Sequence, residues 1–205
     1  MEHAFHIYNK MASDGVAMST DKLLRLNEQG KTIKTTGAGT SSLLQSRPPV
    51  VVCVGSDLAI GDSLGPIVGS MLKFKTQGLN VFLYGTLAAP VTAKEIRYVR
   101  TFLKETHSDR QVIAIDAAVG DEGDIGLIKI NDTPLMPGAG ANKQLGSLGD
   151  ISIMGVVAEK SLTNYGLLNT TRLNLVYAMA EIISDGLAAL LWERCARQKE
   201  VKKDA

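Results

Sequence analysis

The chain of 205 residues is long enough for one domain with a sizeable hydrophobic core. Its 45% hydrophobic and 21% charged residues are typical of a globular protein, and its formal net charge of +1 gives no electrostatic footprint for nucleic acid or an anionic membrane. The two cysteines, Cys53 and Cys195, make no disulfide framework, so we expect a reducing, cytoplasmic compartment with neither nucleic acid nor a membrane as partner.

The first 49 residues differ in composition from the rest. They are polar, contain no apolar secretory signal, and include a Gly/Thr/Ser-rich run at 35–42 that predicts a loop or linker. One helix is predicted within this segment. Thr20 is its N-cap and Gly30 its stop, and its apolar residues are Leu23, Leu24 and Leu26. We therefore expect a partly flexible amino-terminal extension over 1–49, in the position of a propeptide-like cover, and a single α/β domain over 50–205.

From residue 50 onward, predicted strands and helices alternate. The expected strands are apolar runs at 50–54, 80–84, 112–116, 126–130 and 151–157. The expected helices are one with apolar spacing from Leu64 to Leu72, one with a Thr92–Glu95 capping box, and a long one from Thr170 or Thr171 in which Gly186 is a candidate bend. This alternation predicts a mostly parallel sheet with helices on both faces.

Two aspartates follow or end predicted strands. Asp62 lies in the segment after the first strand, and Asp116 ends the third strand. The carboxyl ends of parallel strands are where ligands collect, so we expect the two carboxylates to meet across one cleft if these strands are neighbours. Asp57 competes with Asp62 for this role because it lies nearer to the strand end. A structural N-cap role for Asp62 also stays open, and a helix amino terminus there would lower its pKa.

A pair of carboxyls can activate a water molecule and protonate a leaving amine without a metal or another cofactor. Other chemistries have less support. The histidines, His3, His6 and His107, do not follow strand ends, so a serine or cysteine nucleophile has no evident base. Lys143, in the glycine-rich loop between the last two strands, is either an anion-binding residue or a solvated side chain.

The segment Gly55–Pro66, the strand Val112–Ala117 and the loop Pro137–Lys143 resemble, in this order, three motifs of the spore germination protease. The chain as a whole is similar to the YyaC-type sporulation proteins. The resemblance implies a three-layer α/β/α sandwich of the phosphorylase/hydrolase type, shared with hydrogenase maturation endopeptidases. It also implies an atypical aspartic mechanism in which Asp62 and Asp116 are catalytic. The loop residues that it implies for substrate binding or loop support are Gly138, Gly140, Asn142 and Lys143.

The same resemblance implies a sporulation endopeptidase of the forespore or spore core that acts on a protein or peptide, such as the small acid-soluble spore proteins. Two alternatives remain. One is a catalytically inactive binding or regulatory protein on the same fold, since Ser56 and Gly61 replace an asparagine and a proline of the motif. The other is a metal-dependent maturation-type endopeptidase, which the lack of a histidine at the expected nickel-ligand position disfavours. Assembly into a homo-oligomer stays open.

Overall fold

The computed structural model describes residues 1–34, 47–138, 145–160 and 171–203 as a mixed α/β structure built on a six-stranded sheet. The strands are β1 Glu2–His6, β2 Val50–Cys53, β3 Phe82–Tyr84, β4 Val112–Gly120, β5 Leu127–Asn131 and β6 Ile151–Glu159. The helices are α1 Ala12–Lys34, α2 Leu64–Lys75, α3 Ile96–Thr106 and α4 Leu173–Lys203. Short 3-10 turns occur at Gly61–Ser63 and Glu122–Asp124.

The strand order is β1-β5-β6-β4-β2-β3. The pairs β6–β4, β4–β2 and β2–β3 are parallel, whereas β5 and β1 add to the β6 side as antiparallel strands. The predicted mostly parallel sheet is therefore confirmed, and β2 and β4 are direct neighbours. Consequently, the segments that follow β2, β3, β4 and β6 leave the sheet at one edge.

Helices cover both faces of the sheet. Alternate residues of β2 separate the two cores, because Val51 and Cys53 belong to the cluster that contains residues of α1, α2 and α4. Val50 and Val52 belong to the second cluster, with residues of α3. Every residue of β2 is buried, as expected for a central parallel strand. The three layers match the expected α/β/α sandwich.

The amino-terminal segment corrects our expectation of an extension. β1 pairs with β5, and α1 begins at Ala12 rather than Thr20, which is fully buried inside the helix. Leu23 and Leu24 lie in the main core. Two of the polar residues of α1, Asp21 and Glu28, pair with Arg194 of α4. The Gly/Thr/Ser-rich run at 35–42 lies outside the described residues.

The helix α4 is the central element of the larger core. Its segment Leu173–Gln198 is long and apolar enough to cross a membrane by length and composition alone. Of that apolar window, however, 56% is buried inside the molecule, which is also what the core helix of a globular domain shows. Gly186 does not interrupt α4. A Cβ at this position would collide with the carbonyl oxygen of Ser13, so the glycine permits α1 to approach α4 closely.

Candidate active site

The segment after β2 folds back on itself and fixes Asp62 just before α2. The backbone N–H of Ser56 donates to the carbonyl oxygen of Asp62 at 3.1 Å. Gly55 has a φ of +138°, and a Cβ there would collide with the same carbonyl oxygen. The hydroxyl of Ser63 donates to the carbonyl oxygen of Ile60 at 2.6 Å. Asp62 thus lies in a tightly held 3-10 turn rather than in a mobile loop.

Asp116 lies within β4 rather than at its end, because the strand continues to Gly120. The preceding residue, Ile115, pairs with Cys53, the last residue of β2, whereas Asp116 pairs with Met154 on β6. The ladder between β2 and β4 therefore stops just before Asp116, and the segment that carries Asp62 begins there. The longer β4 arises because β6 remains as a partner after β2 has ended.

Burial and the neighbouring acid both raise the pKa of the Asp116 carboxyl. Burial, the larger cause, raises the pKa of its carboxyl well above the ordinary range, and the negative charge of Asp62 raises this pKa further. The backbone N–H of Ala117, which donates to the Asp116 Oδ1 at 2.8 Å, acts in the opposite direction. Since the charge of Asp62 acts on Asp116, the two predicted acids lie near enough to interact electrostatically.

The pKa of Asp62 is shifted in the direction opposite to our expectation. Burial raises the pKa of its carboxyl, and the backbone of Ser56 opposes this only in part. The expected lowering by the helix amino terminus is therefore wrong, because desolvation outweighs it. The pKa of Asp116 is raised further than that of Asp62, so Asp62 remains the more readily ionised acid. Asp57, the competing candidate, is exposed to solvent.

The two carboxyls can therefore take up a state in which one is protonated and the other is ionised. In that state Asp116 is a neutral acid that can donate a hydrogen bond, while Asp62 is a carboxylate that can accept one. An acid–base pair of this kind can remove a proton from water and supply another to a developing oxyanion or leaving amine.

The glycine-rich loop is described only in part. Gly138 is half-buried with a φ of +75°, a conformation that favours glycine. It follows Leu135, which bridges Leu148. Gly140, Asn142 and Lys143 lie outside the described residues, so their contribution to substrate binding stays a prediction.

A metal ion would need more ligands than the acid pair supplies. In the part of the chain that the structure describes, no group of three or more His, Cys, Asp or Glu side chains could hold a metal ion. His3 and His6 lie on β1, at the far edge of the sheet. His107 shares a hydrogen bond of 2.7 Å with the hydroxyl of Tyr84. These described residues do not fit the acid-plus-histidine set of the nickel-binding maturation endopeptidases.

One feature of the site was absent from the sequence-based prediction. A cleft of about 630 Å³ lies beside β3, and its lining includes Tyr84, Tyr98 and Phe102. Val91 also lines the cleft, and its carbonyl oxygen accepts a hydrogen bond from the N–H of Gly55 at 3.0 Å. The concentration of aromatic residues in β3 and α3 was the available signal, since only 5% of the chain is aromatic.

Comparisons with known proteins agree with the YyaC part of the expected resemblance. A family model described as a protein of unknown function (DUF1256) matches residues 26–186. The chain belongs to the DUF1256 family. The uncharacterized protein YyaC of Bacillus subtilis (strain 168) is 40% identical over 158 residues, which are 77% of each chain. The region of the DUF1256 match contains both acids and the whole glycine-rich loop.

Among solved structures, the chain is similar to the [NiFe] hydrogenase maturation protease HycI from Thermococcus kodakarensis KOD1. The TM-score is 0.38 and the identity 19%, over 68% of this chain and 92% of the other. The site assignment in this DUF1256 chain therefore depends on its own residues.

Proposed function

We propose that this chain is an endopeptidase in which Asp62 and Asp116 form an atypical aspartic pair. The observation that carries this proposal is that both carboxyls are partly desolvated at the carboxyl edge of the sheet, and that the negative charge of Asp62 raises the pKa of Asp116. Acids whose pKa values are raised by burial or by a neighbouring acid are common in catalytic sites, whereas structural acids usually have a basic partner. Asp62 and Asp116 have no basic partner among the ion pairs of the described residues.

The proposed reaction follows from the two protonation states. The Asp62 carboxylate removes a proton from water as the water oxygen attacks the peptide carbonyl carbon, while the Asp116 carboxyl donates its proton to the carbonyl oxygen. The C–N bond then breaks. The proton on Asp62 passes to the leaving amine, and the hydroxyl proton of the tetrahedral intermediate returns to Asp116. Both acids end in their starting states, and the reaction consumes one water.

The motif resemblance to the spore germination protease supports the proposed substrate and compartment. We infer a protein substrate of the forespore or spore core, with the small acid-soluble spore proteins as the first to test. Neither a cofactor nor a nucleic acid is part of this proposal.

Substitution of the acids tests the proposal. Purified small acid-soluble spore proteins are incubated with the enzyme at pH values from 4 to 8, and the products are identified by mass spectrometry. We expect cleavage by the wild type and a loss of about 100-fold or more in Asp62→Asn and Asp116→Asn. Asp57→Asn is the matched control, because Asp57 is an exposed acid of the same segment and should retain full activity.

Retention of normal turnover in both variants would refute the assigned chemistry. If the wild type cleaves none of these proteins at any pH, the inactive binding or regulatory protein becomes the better interpretation, consistent with Ser56 and Gly61 in the altered motif. Loss of cleavage on chelation, restored by added metal, would instead favour the metal-dependent alternative.

A further inference from the structure

The strand β3 is an end strand whose outer edge has no strand partner among the described residues. In the six-stranded sheet it pairs only with β2, through Phe82, Leu83 and Tyr84. An end strand carries backbone N–H and C=O groups that point away from the sheet and can pair with another chain. The three residues of β3 are half-buried rather than enclosed.

The cleft beside β3 is lined by residues on three sides of this edge. Leu83 and Tyr84 of β3 form one part of its lining. The connection from α2 to β3, including Leu79, lines one side, while Tyr98 and Phe102 of α3 line the other. The two rings are stacked, with centroids 6.2 Å apart. The exposed edge therefore lies between two walls that could hold the side chains of an added strand.

We propose that this cleft, which we call the β3 cleft, binds an extended segment of the protein substrate as a seventh strand beside β3. The proposal deepens the proposed peptidase function and depends on it for the identity of the occupant. Backbone pairing with an end strand supplies affinity with little dependence on sequence, and the pockets for alternate side chains supply selectivity. A protein-cleaving enzyme needs this combination, because its substrate is a chain rather than a small molecule.

The charge of the lining identifies a preference within such substrates. Lys73 is the one charged residue among the described residues that line the β3 cleft. Its partner in a bound peptide would be an acidic side chain, whereas a basic side chain at the same position would meet like charge. We therefore infer a segment of alternating apolar and polar residues that contains at least one acid.

The β3 cleft adjoins the segment that carries Asp62. Val91, which lines the cleft, pairs with Val54 in a parallel bridge and accepts a hydrogen bond from Gly55. Gly55 begins the segment that holds Asp62. The other end strand, β1, is separated from β4 by β5 and β6 and does not line this cleft. Only the β3 edge therefore lies on the side of the sheet that leads to the acid pair.

The strand order sets the distance between binding and cleavage. A seventh strand beside β3 would lie three strand spacings from β4, or about 14 Å at about 4.8 Å per spacing. An extended chain covers about 3.3 Å per residue, so roughly four or five residues must connect the bound strand to the bond near Asp116. Peptides that end sooner should bind without being cleaved.

A direct binding experiment with a defined probe tests the proposal. The probe is a fluorescein-labelled heptapeptide of alternating valine and threonine with glutamate at its centre, and binding to the full chain is followed by fluorescence anisotropy. We expect saturable binding that weakens about tenfold when alternate amide nitrogens are methylated, because each methyl group removes a backbone donor. Lysine in place of the central glutamate should also weaken binding.

Substitutions in the cleft provide matched pairs. Tyr98→Ala removes an exposed aromatic ring from the lining of the cleft. Phe74→Ala removes an aromatic ring outside the lining. The two residues are similarly exposed, at 72% for Tyr98 and 74% for Phe74. Likewise, Lys73→Glu reverses the lining charge, and Lys104→Glu reverses an exposed charge elsewhere. We expect Tyr98→Ala and Lys73→Glu to weaken binding about tenfold, and Phe74→Ala and Lys104→Glu to leave it unchanged.

The outcome separates this proposal from the peptidase assignment. Asp62→Asn and Asp116→Asn should bind the probe as the wild type does. If the wild type binds the probe but cleaves no protein substrate, the proposed chemistry is refuted and the docking site stands. No saturable binding, or binding that is indifferent to N-methylation and to Tyr98→Ala, would overturn the docking proposal. Self-association through β3, detected by sedimentation and abolished by Tyr98→Ala without any peptide binding, would assign the edge to a second copy and overturn it as well.

Discussion

Asp116 is the acid whose environment differs most from that of an ordinary surface acid. It is desolvated beside a second acid, and one backbone N–H is the partner found for its carboxylate in the described structure. A carboxyl with a raised pKa in the folded state binds its proton more tightly there than in the unfolded chain. The folded state therefore loses stability, relative to the unfolded state, as the pH rises from about 4, the usual pKa of aspartate.

The sign of this linkage gives a prediction for Asp116→Asn. The variant cannot ionise, so at pH 7 it should be more stable than the wild type by more than the roughly 0.5 kcal/mol typical of surface substitutions. The difference should vanish as the pH falls well below about 4, where the wild-type carboxyl is protonated in both states. Urea unfolding at several pH values measures it. Equal stability of the two proteins at every pH would contradict the assigned environment.

Gly55 makes the position of Asp62 possible, which leads to a second prediction. Its positive φ and the collision of a Cβ with the carbonyl oxygen of Asp62 leave no room for a side chain. Gly55→Ala should lower the free energy of unfolding by about 1–3 kcal/mol and displace Asp62, with loss of activity. Gly123→Ala is the control, since its Cβ would have no atom within 4 Å. Similar losses in both variants, by urea unfolding and activity, would refute this explanation.

That the two acids lie at the same edge of the sheet could be predicted from sequence, because Asp116 lies in a buried apolar run and Asp62 in the segment that follows another; their catalytic role stays a prediction. The direction of the Asp62 pKa shift could not be predicted, because it depends on how much of the chain surrounds the carboxyl. Tyr84, Tyr98 and Phe102 were missed as a group. Their common cleft exists because β3 is an end strand, and strand order is not encoded in the local pattern of any one segment.

At the level of helices and strands, α1 and α4 are joined by a buried ionic cluster. Arg194 of α4 is almost fully buried and contacts Asp21 at 2.9 Å and Glu28 at 2.8 Å. Gln111, just before β4, donates from its side-chain nitrogen to the Leu24 carbonyl oxygen and to Glu28. These contacts connect the first helix, the last helix and the start of the central strand. The burial of charges is tolerated because each has a close partner.

Removal of one member of this cluster should be costly. Arg194→Ala leaves two acids near each other without their buried partner, so we expect a loss of about 3–5 kcal/mol in the free energy of unfolding. Arg25→Ala is the matched control, because Arg25 pairs with the same Asp21 but is about half exposed. That variant should lose less than about 1 kcal/mol. Chemical unfolding measures the free energy of unfolding of both variants. Equal losses of stability would show that the burial of Arg194 does not increase its contribution.

The elements from β2 onward could be predicted well because strands and helices alternate there with clear periodicity. The described part of the amino-terminal segment could not. The partners of Asp21 and Glu28 lie on the same arginine, 173 and 166 residues away in sequence. The sequence pattern placed both acids in a short helix from Thr20 to Gly30, but it could not show that a distant helix pairs with them.

For the molecule as a whole, the amino-terminal segment is part of the fold and not a removable cover. Deletion of residues 1–34 would expose the outer edge of β5 and the core surface that Leu23 and Leu24 bury. We expect the truncated chain to lose its cooperative unfolding transition, as seen by circular dichroism. Tyr8→Ala, at a position that is 85% exposed, should retain the transition. A truncated chain that unfolds cooperatively and is more active would restore the idea of a propeptide-like cover.

The central claim, that Asp62 and Asp116 act as one coupled pair, is tested most directly by NMR titration of the aspartate side-chain carboxyl carbons. In the wild type, Asp116 should titrate well above the usual aspartate range. In Asp62→Asn its pKa should fall, because the neighbouring charge is gone, yet stay raised by burial. Asp57→Asn should leave it unchanged. An Asp116 that titrates near 3.9, the usual value, or that does not respond to Asp62→Asn, would contradict the pair.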